Sequence, residues 1–168
     1  MTRDQIIARI IGIEAGYVDN PRDPGGATKY GVTQRYLDEH RGRVPGLPAS
    51  VADLTIAEAT ALYVADEWAE IQGDALPWPV AYLVMDTAVN SGAAEAVKLL
   101  QQALGLAVDG NLGPVTVAAA NRGSVEDLCI EFAARRGVHY ASLCATLAQF
   151  ELGWMRRLIR TCITAVAP

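Results

Sequence analysis

The chain has 168 residues, 51% of them hydrophobic and 20% charged, which fits one compact domain or one domain with a small appendage and excludes a multidomain machine. With 14 Lys and Arg against 19 Asp and Glu the net charge is −5, the wrong sign for wrapping nucleic acid. The charge is uneven, because residues 132–168 set Arg135, Arg136, Arg156, Arg157 and Arg160 against Glu151 alone and are +4, leaving −9 on residues 1–131.

Thr2 and Gln5 form a T-x-x-Q capping box ahead of Ile6, Ile7, Ile10, Ile11 and Ile13, so a helix is expected from residue 3 to residue 15. The stretch from Gly16 to Thr33 breaks that pattern with Gly, Pro, Asp and Asn among β-formers and reads as turns with a short hairpin. A helix over 33–41 and a Gly/Pro linker from Gly42 to Pro48 precede a second capping box, Thr55 with Glu58, whose helix is expected to run to residue 72 and stop at Gly73. Residues 79–91 and 93–104 read as two core helices joined at Ser91-Gly92, with Gly105 as the C-terminal cap of the second. Pro114 opens a short helix to Ala120, Ser124 and Asp127 start a long one reaching Phe150, and Met155, Leu158, Ile159, Cys162, Ile163 and Val166 recur at helical spacing in a terminal helix. That spacing places Arg156, Arg157 and Arg160 on the flanks of an apolar stripe, as a solvated face or a contact for anionic lipid. The class is therefore mainly α, with strand character confined to residues 16–33.

Cys129, Cys144 and Cys162 are odd in number and lack the close pairs of zinc sites, so they read as buried thiols. His40 and His139 are the two imidazoles, and neither a metal nor an organic cofactor is expected. No apolar run approaches the roughly 18 residues of a spanning helix, so no stable membrane insertion is expected. The start of the chain has no cleavage pattern, and the expectation is synthesis in the cytoplasm without a signal peptide.

One residue does not fit its helix. At about 100° per residue the isoleucines of the first helix cover an arc of roughly 160°, and Glu14 falls inside it beside Ile7, Ile10 and Ile11. An acid aimed at the core in the last turn, against the negative end of the helix dipole, is pushed toward its protonated form. That suits a general acid, and it equally suits a structural brace paired with a buried Arg. The loop that follows carries Asp19, Asn20, Asp23, Thr28 and Thr33 and can form one wall of a cleft. Glycoside hydrolysis needs one protonated carboxyl and, in most mechanisms, a second ionised group. Asp23 is the best-placed second carboxylate, and the alternative is an Asp-Pro-Gly-Gly turn that caps its own backbone. Thr28 is either a water-holding hydroxyl or a hairpin residue. Tyr17, Tyr30 and Trp68 are candidates for stacking on sugar faces, against a core role. Asp86 and Asn90, spaced i,i+4, are candidates for bonding acetamido or peptide groups, against a role in bracing helix ends. Asp109-Gly110-Asn111 reads as a tight turn.

Glu14-Ala-Gly-Tyr17, Asp23-Pro-Gly-Gly26-Ala-Thr28 and Tyr30-Gly-Val-Thr33 resemble the N-terminal signature of glycoside hydrolase family 108, lysozyme-like N-acetylmuramidases of phages, prophages and secretion systems. The resemblance continues through Leu54-Thr55 with Ala59, Tyr63 and Trp68, then Asp86-Thr-Ala-Val-Asn90-Ser-Gly92, and Phe150-Glu-Leu-Gly-Trp154 with Arg157. Residues 96–121, from Leu100-Gln101 through Val108-Asp109-Gly110 to Gly113-Pro114-Val-Thr116, look like that family's predicted peptidoglycan-binding segment. The resemblance implies a lysozyme-like helical fold, a catalytic region over 1–92 and a helical region with the peptidoglycan-binding segment over 93–168. It implies peptidoglycan as the partner, and a holin or similar pore to reach the wall. The glutamate opening the family's Glu-Gly-Gly-Tyr motif carries over onto Glu14, with Ala15 standing where the family has Gly. The order is also similar to the Glu-x8-Asp-x5-Thr pattern of phage-type lysozymes, although Thr28 follows Asp23 after four residues instead of five. The rival reading is a non-catalytic wall-binding or structural protein in which Glu14 is a brace.

Overall fold

The structure is a computed structural model that describes residues 2–12, 16–19, 26–147 and 151–166, and the side chains of 144–147, 151, 152 and 166 are outside that description. The described residues form eight α-helices and one three-stranded antiparallel sheet, a mainly α, lysozyme-like fold. They fall into two compact units, Met1–Ala69 and Glu70–Pro168.

In the first unit the expected capping box is present, with Gln5 N donating to Thr2 Oγ1 at 3.3 Å and Thr2 N donating to Gln5 Oε1 at 2.9 Å. It opens α1, Arg3–Gly12, whose Ile6, Ile7, Ile10 and Ile11 are buried. Each such isoleucine contributes roughly 1.5–3 kcal/mol by leaving water. Strands β1 (Tyr17–Val18), β2 (Thr28–Lys29) and β3 (Val32–Thr33) form the sheet, followed directly by α2, Gln34–His40. Thr55 and Glu58 close their own capping box and start α3, Ile56–Tyr63, which packs on α1. The helix expected to run on to residue 72 continues to residue 70, widening into a π-helical turn over Val64–Trp68 on the way. Gly73 is not the left-handed residue that ends it. Gln72 takes that conformation at φ 43°, held by its side-chain amide donating to the Leu112 carbonyl.

The second unit is built around α4, Trp78–Ser91, which buries nearly every residue from Val80 to Ala88 and therefore has neighbours on all sides. It packs against α5 (Ala93–Ala103), α7 (Val125–Leu147) and α8 (Glu151–Val166). Gly92, at φ 85°, makes the sharp joint between α4 and α5. Gly105 caps α5 as expected, with Leu106 N bonding Gln101 O at 2.9 Å and Gly105 N bonding Gln102 O at 3.1 Å. Helix α6, Pro114–Ala120, begins on its proline, and Ser124 Oγ accepts from Asp127 N at 3.1 Å to cap α7. Cys129 is buried and Cys162 half-buried, both free thiols. Burial pushes the Cys129 thiol up to about 11, while the side chain of Cys144 is outside the described residues.

The terminal helix turns a different face inward from the one its apolar spacing suggests. Leu158, Thr161 and Ala165 are buried, while Ile159 and Ile163 stay 59% and 63% exposed. The physical reason is Arg157. It points inward to a buried carboxylate, and a charge-assisted bond in a dry interior outweighs the burial of two isoleucines.

Candidate functional site

Glu14 and Asp23 lie outside the described residues. What the structure describes is the framework on either side of them. In the sheet Tyr17 pairs with Lys29 and Val18 with Thr28, then Thr28 with Thr33 and Lys29 with Val32. Directly paired residues share a face, so Tyr17, Lys29 and Val32 form one row and Val18, Thr28 and Thr33 the other. The first row lies against the 3-10 turn Val51–Asp53: Val32 is buried and Lys29 Nζ donates to the Ala52 carbonyl at 2.6 Å. In the second row Val18 is 59% exposed, and Thr28 and Thr33 are half-buried. There the Thr28 hydroxyl makes one long bond, 3.4 Å to the Gly26 carbonyl. Thr33 is committed locally, its hydroxyl accepting from Tyr36 N to cap α2. Tyr17 stands half-exposed on β1.

Between β2 and β3 the chain reverses over Tyr30 and Gly31, with φ of 54° and 76°. A two-residue hairpin with both φ positive is a type I′ turn, which favours Asn or Gly; a tyrosine there carries strain of roughly 1–2 kcal/mol. Tyr63 of α3 holds the turn. Its hydroxyl donates to the Tyr30 carbonyl at 3.3 Å, and a Cβ on Gly31 would stand 2.7 Å from that same oxygen. The ammonium of Lys29 lies 5.5 Å from the centre of the Tyr30 ring, within cation–π range. Gln34 ties the base of the sheet down, donating to the Ala49 carbonyl at 3.0 Å and accepting from Val51 N at 2.8 Å.

Behind the sheet the π-helical turn presents Asp66 to α2. Its Oδ2 accepts from the Tyr36 hydroxyl at 2.7 Å and lies 3.0 Å from His40 Nε2. The Tyr36 and His40 rings stack at 4.0 Å, and burial together with the bond to Asp66 raises the Tyr36 phenol well above its ordinary value. Trp68, in the same turn, is only 4% exposed, and its indole N–H has no partner among the described residues. A ring enclosed in this way offers no face to a sugar in this arrangement.

In the second unit Asp86 is fully buried. Its Oδ2 lies 2.6 Å from Arg136 Nη1 and accepts from the Thr161 hydroxyl at 3.1 Å, while Oδ1 accepts from Arg157 Nε and Nη2 at 3.1 and 3.0 Å. It is a buried counter-ion joining α4 to α7 and α8, in place of the ligand contact expected for it. Asn90, one turn on, donates to the Asp86 backbone carbonyl at 2.6 Å, a helix-bracing bond. Asp109-Gly110-Asn111 is the expected tight turn, and Gln101 organises it. The Gln101 oxygen accepts from the backbone N–H of Asp109 and Gly110 at 3.0 Å each, and its amide donates to Asp109 Oδ1 at 2.7 Å. The bond from Gln101, then the backbone N–H of Asn111, holds the Asp109 carboxyl below its usual value.

Compared with known families, residues 7–92 match the model described as Glycosyl hydrolase 108, more than half of the chain. The chain belongs to glycosyl hydrolase family 108. Residues 95–159 match a second model, described as Predicted Peptidoglycan domain. Among solved structures it is similar to SagA of Brucella abortus, at 34% identity and a TM-score of 0.80, over 98% of this chain and 93% of that one. Comparison with curated proteins gives no match.

The family 108 match takes in α1 from Ile7 on, the sheet and α3, and runs on through α4 of the second unit. Membership makes the protein a glycoside hydrolase, and the second match ties it to peptidoglycan. Of the expected site residues the structure carries Tyr17 and Thr28 on opposite rows of the sheet with Tyr30 in its turn, encloses Trp68 and Asp86 in helix packing, leaves Asn90 exposed and bonded to its own helix, and leaves Glu14 and Asp23 undescribed. Sequence reading missed Tyr63 as the anchor of the hairpin, the Tyr36–His40–Asp66 cluster, and Gln101 as a loop organiser. A signal existed for two of these: Tyr36 and His40 stand i,i+4 on α2, and Gln101 is a polar residue on the core face of α5. Among the described residues no three His, Cys, Asp or Glu side chains converge as metal ligands would.

Proposed function

We propose that the protein is an N-acetylmuramidase that hydrolyses the β-1,4 bond between N-acetylmuramic acid and N-acetylglucosamine in peptidoglycan. Glu14, as general acid, protonates the glycosidic oxygen as the bond to the sugar breaks. Asp23 is the ionised second group, stabilising positive charge at the anomeric carbon or activating water, and Thr28 holds that water through its hydroxyl. Tyr17 and Tyr30 offer ring faces to the sugars.

The observation that carries the reading is the family 108 match over residues 7–92, a range that includes Glu14, the residue pointed to by the resemblance to the Glu-Gly-Gly-Tyr motif. The half-buried Thr28 supports it further, since its hydroxyl keeps bonding capacity while Thr33 is spent on a helix cap. The test is muropeptide mass analysis of purified peptidoglycan treated with wild type and with Glu14→Gln, both checked for equal folding by circular dichroism. Wild type should release fragments with new reducing muramic acid ends, and Glu14→Gln should lose at least about a hundredfold in rate, the lower end of what general acid catalysis contributes. Cleaved stem peptides, or equal activity of the two proteins, would overturn the proposal.

A further inference from the structure

The second unit carries a groove of about 420 Å³ between α5 and α7 that none of the described site residues above lines. The volume is in the range of small-ligand sites. Its apolar lining is the buried Leu99 with the exposed Ala134 and Val138. Its ends are charged. At one end Glu95 of α5 lies 3.4 Å from His139 of α7 and 3.7 Å from Lys98. At the other, Glu131 and Arg135 of α7 pair at 2.7 Å beside Gln102. The seven steps of helical rise from Glu95 to Gln102 and the eight from Glu131 to His139 each correspond to roughly 10–12 Å of helix. That length equals about three residues of extended peptide.

We infer that this groove binds the peptide stem of peptidoglycan, a short peptide bearing free carboxylates and an amine, in a site separate from the one that handles the glycan. The inference rests on the peptidoglycan reading above and names a second point of contact with the same polymer. A glycan strand made of amino sugars has few charges to satisfy two Glu and two basic groups, and among the described residues no Tyr, Trp or Phe lines the groove to stack on a sugar face. A stem tripeptide has what the groove lacks. Its carboxylates meet Arg135 at one end and His139 with Lys98 at the other, its amine meets a Glu, and its methyl and methylene groups cover Leu99 and Val138. Without ligand these charges satisfy one another in part-exposed pairs, which are weak and open at little cost. The groove's lining residues all lie within the segment matched as a predicted peptidoglycan domain, which begins at Glu95.

The test titrates the full chain with L-alanyl-γ-D-glutamyl-meso-diaminopimelate, following amide shifts of isotope-labelled protein, at low salt and again in 0.5 M salt. Binding should perturb α5 and α7 and weaken with salt, as screened charge pairs do. Arg135→Glu should weaken it at least about tenfold, since an attractive end becomes repulsive. Ala134→Trp, an exposed position, should abolish binding by filling the groove while leaving the melting curve unchanged. Absence of tripeptide binding, equal affinity of wild type and both variants, or perturbation of this groove by a peptide-free disaccharide would each overturn the inference. Glu14→Gln separates the two readings. If it loses hydrolysis and keeps tripeptide affinity, both stand; if it keeps hydrolysis while Arg135→Glu loses tripeptide affinity, the groove stands and the general-acid assignment falls.

Discussion

Replacing Asp86 by Asn keeps the volume of a fully buried side chain and removes the single negative charge between two guanidinium groups. Arg136 is also fully buried, and Arg157 is nearly so, at 10% side-chain exposure. In the wild type the carboxylate takes both cations and the Thr161 hydroxyl, so the interior carries one net positive charge; in the variant it carries two. Removing one partner of a buried ion pair costs about 3–5 kcal/mol because the other charge is left without compensation. That is a large fraction of the roughly 5–15 kcal/mol by which a native protein is stable. Divided by a urea m-value of about 2 kcal/mol/M, a loss of about 4 kcal/mol lowers the midpoint by about 2 M. Urea titration followed by tryptophan fluorescence and far-UV circular dichroism measures it; the two probes together reveal whether the units unfold in separate steps. A midpoint within about 0.3 M of wild type, combined with lost hydrolysis, would refute the reasoning. It would return Asp86 to the ligand-binding role that its spacing with Asn90 suggests.

Two further outcomes follow from local geometry. Gly31→Ala puts a Cβ at φ 76° and 2.7 Å from Tyr63 Oη, so it should destabilise by at least about 1–2 kcal/mol, and Tyr63→Phe in the same chain should recover the steric part; a double-mutant cycle by urea titration that gives no coupling would show that the two do not meet. Thr55→Ala should cost about 1 kcal/mol as a lost helix cap. The bonds from the Thr55 backbone and hydroxyl hold the Glu58 carboxyl below its usual value, so their stabilising effect is full above the ordinary glutamate range and fades as pH falls through the depressed value. The difference between wild type and Thr55→Ala should therefore shrink on acidification below about pH 4, and a gap that widens there would have the wrong sign for this cap.

What the amino-acid sequence by itself determined is local. The capping boxes at Thr2 with Gln5 and at Thr55 with Glu58, the Gly105 terminator and the Pro114 start all need partners within a few residues, so their chemistry is complete in the segment that contains them. Strand character near residues 16–33 is legible for the same reason. Tertiary structure decided which way the polar residues turn. The apolar spacing of α8 points Ile159 and Ile163 inward, yet Arg157 takes the inner face because its counter-charge stands 71 residues away on α4. Asp86 and Asn90 are spaced for one face of a helix, but the packing of α7 and α8 buries Asp86 in an ion cluster while Asn90, one turn on, stays exposed. Tyr30 tolerates its left-handed backbone because Tyr63 of a distant helix bonds its carbonyl. Charge burial and strain depend on what arrives from elsewhere in the chain, and no local pattern records that arrival.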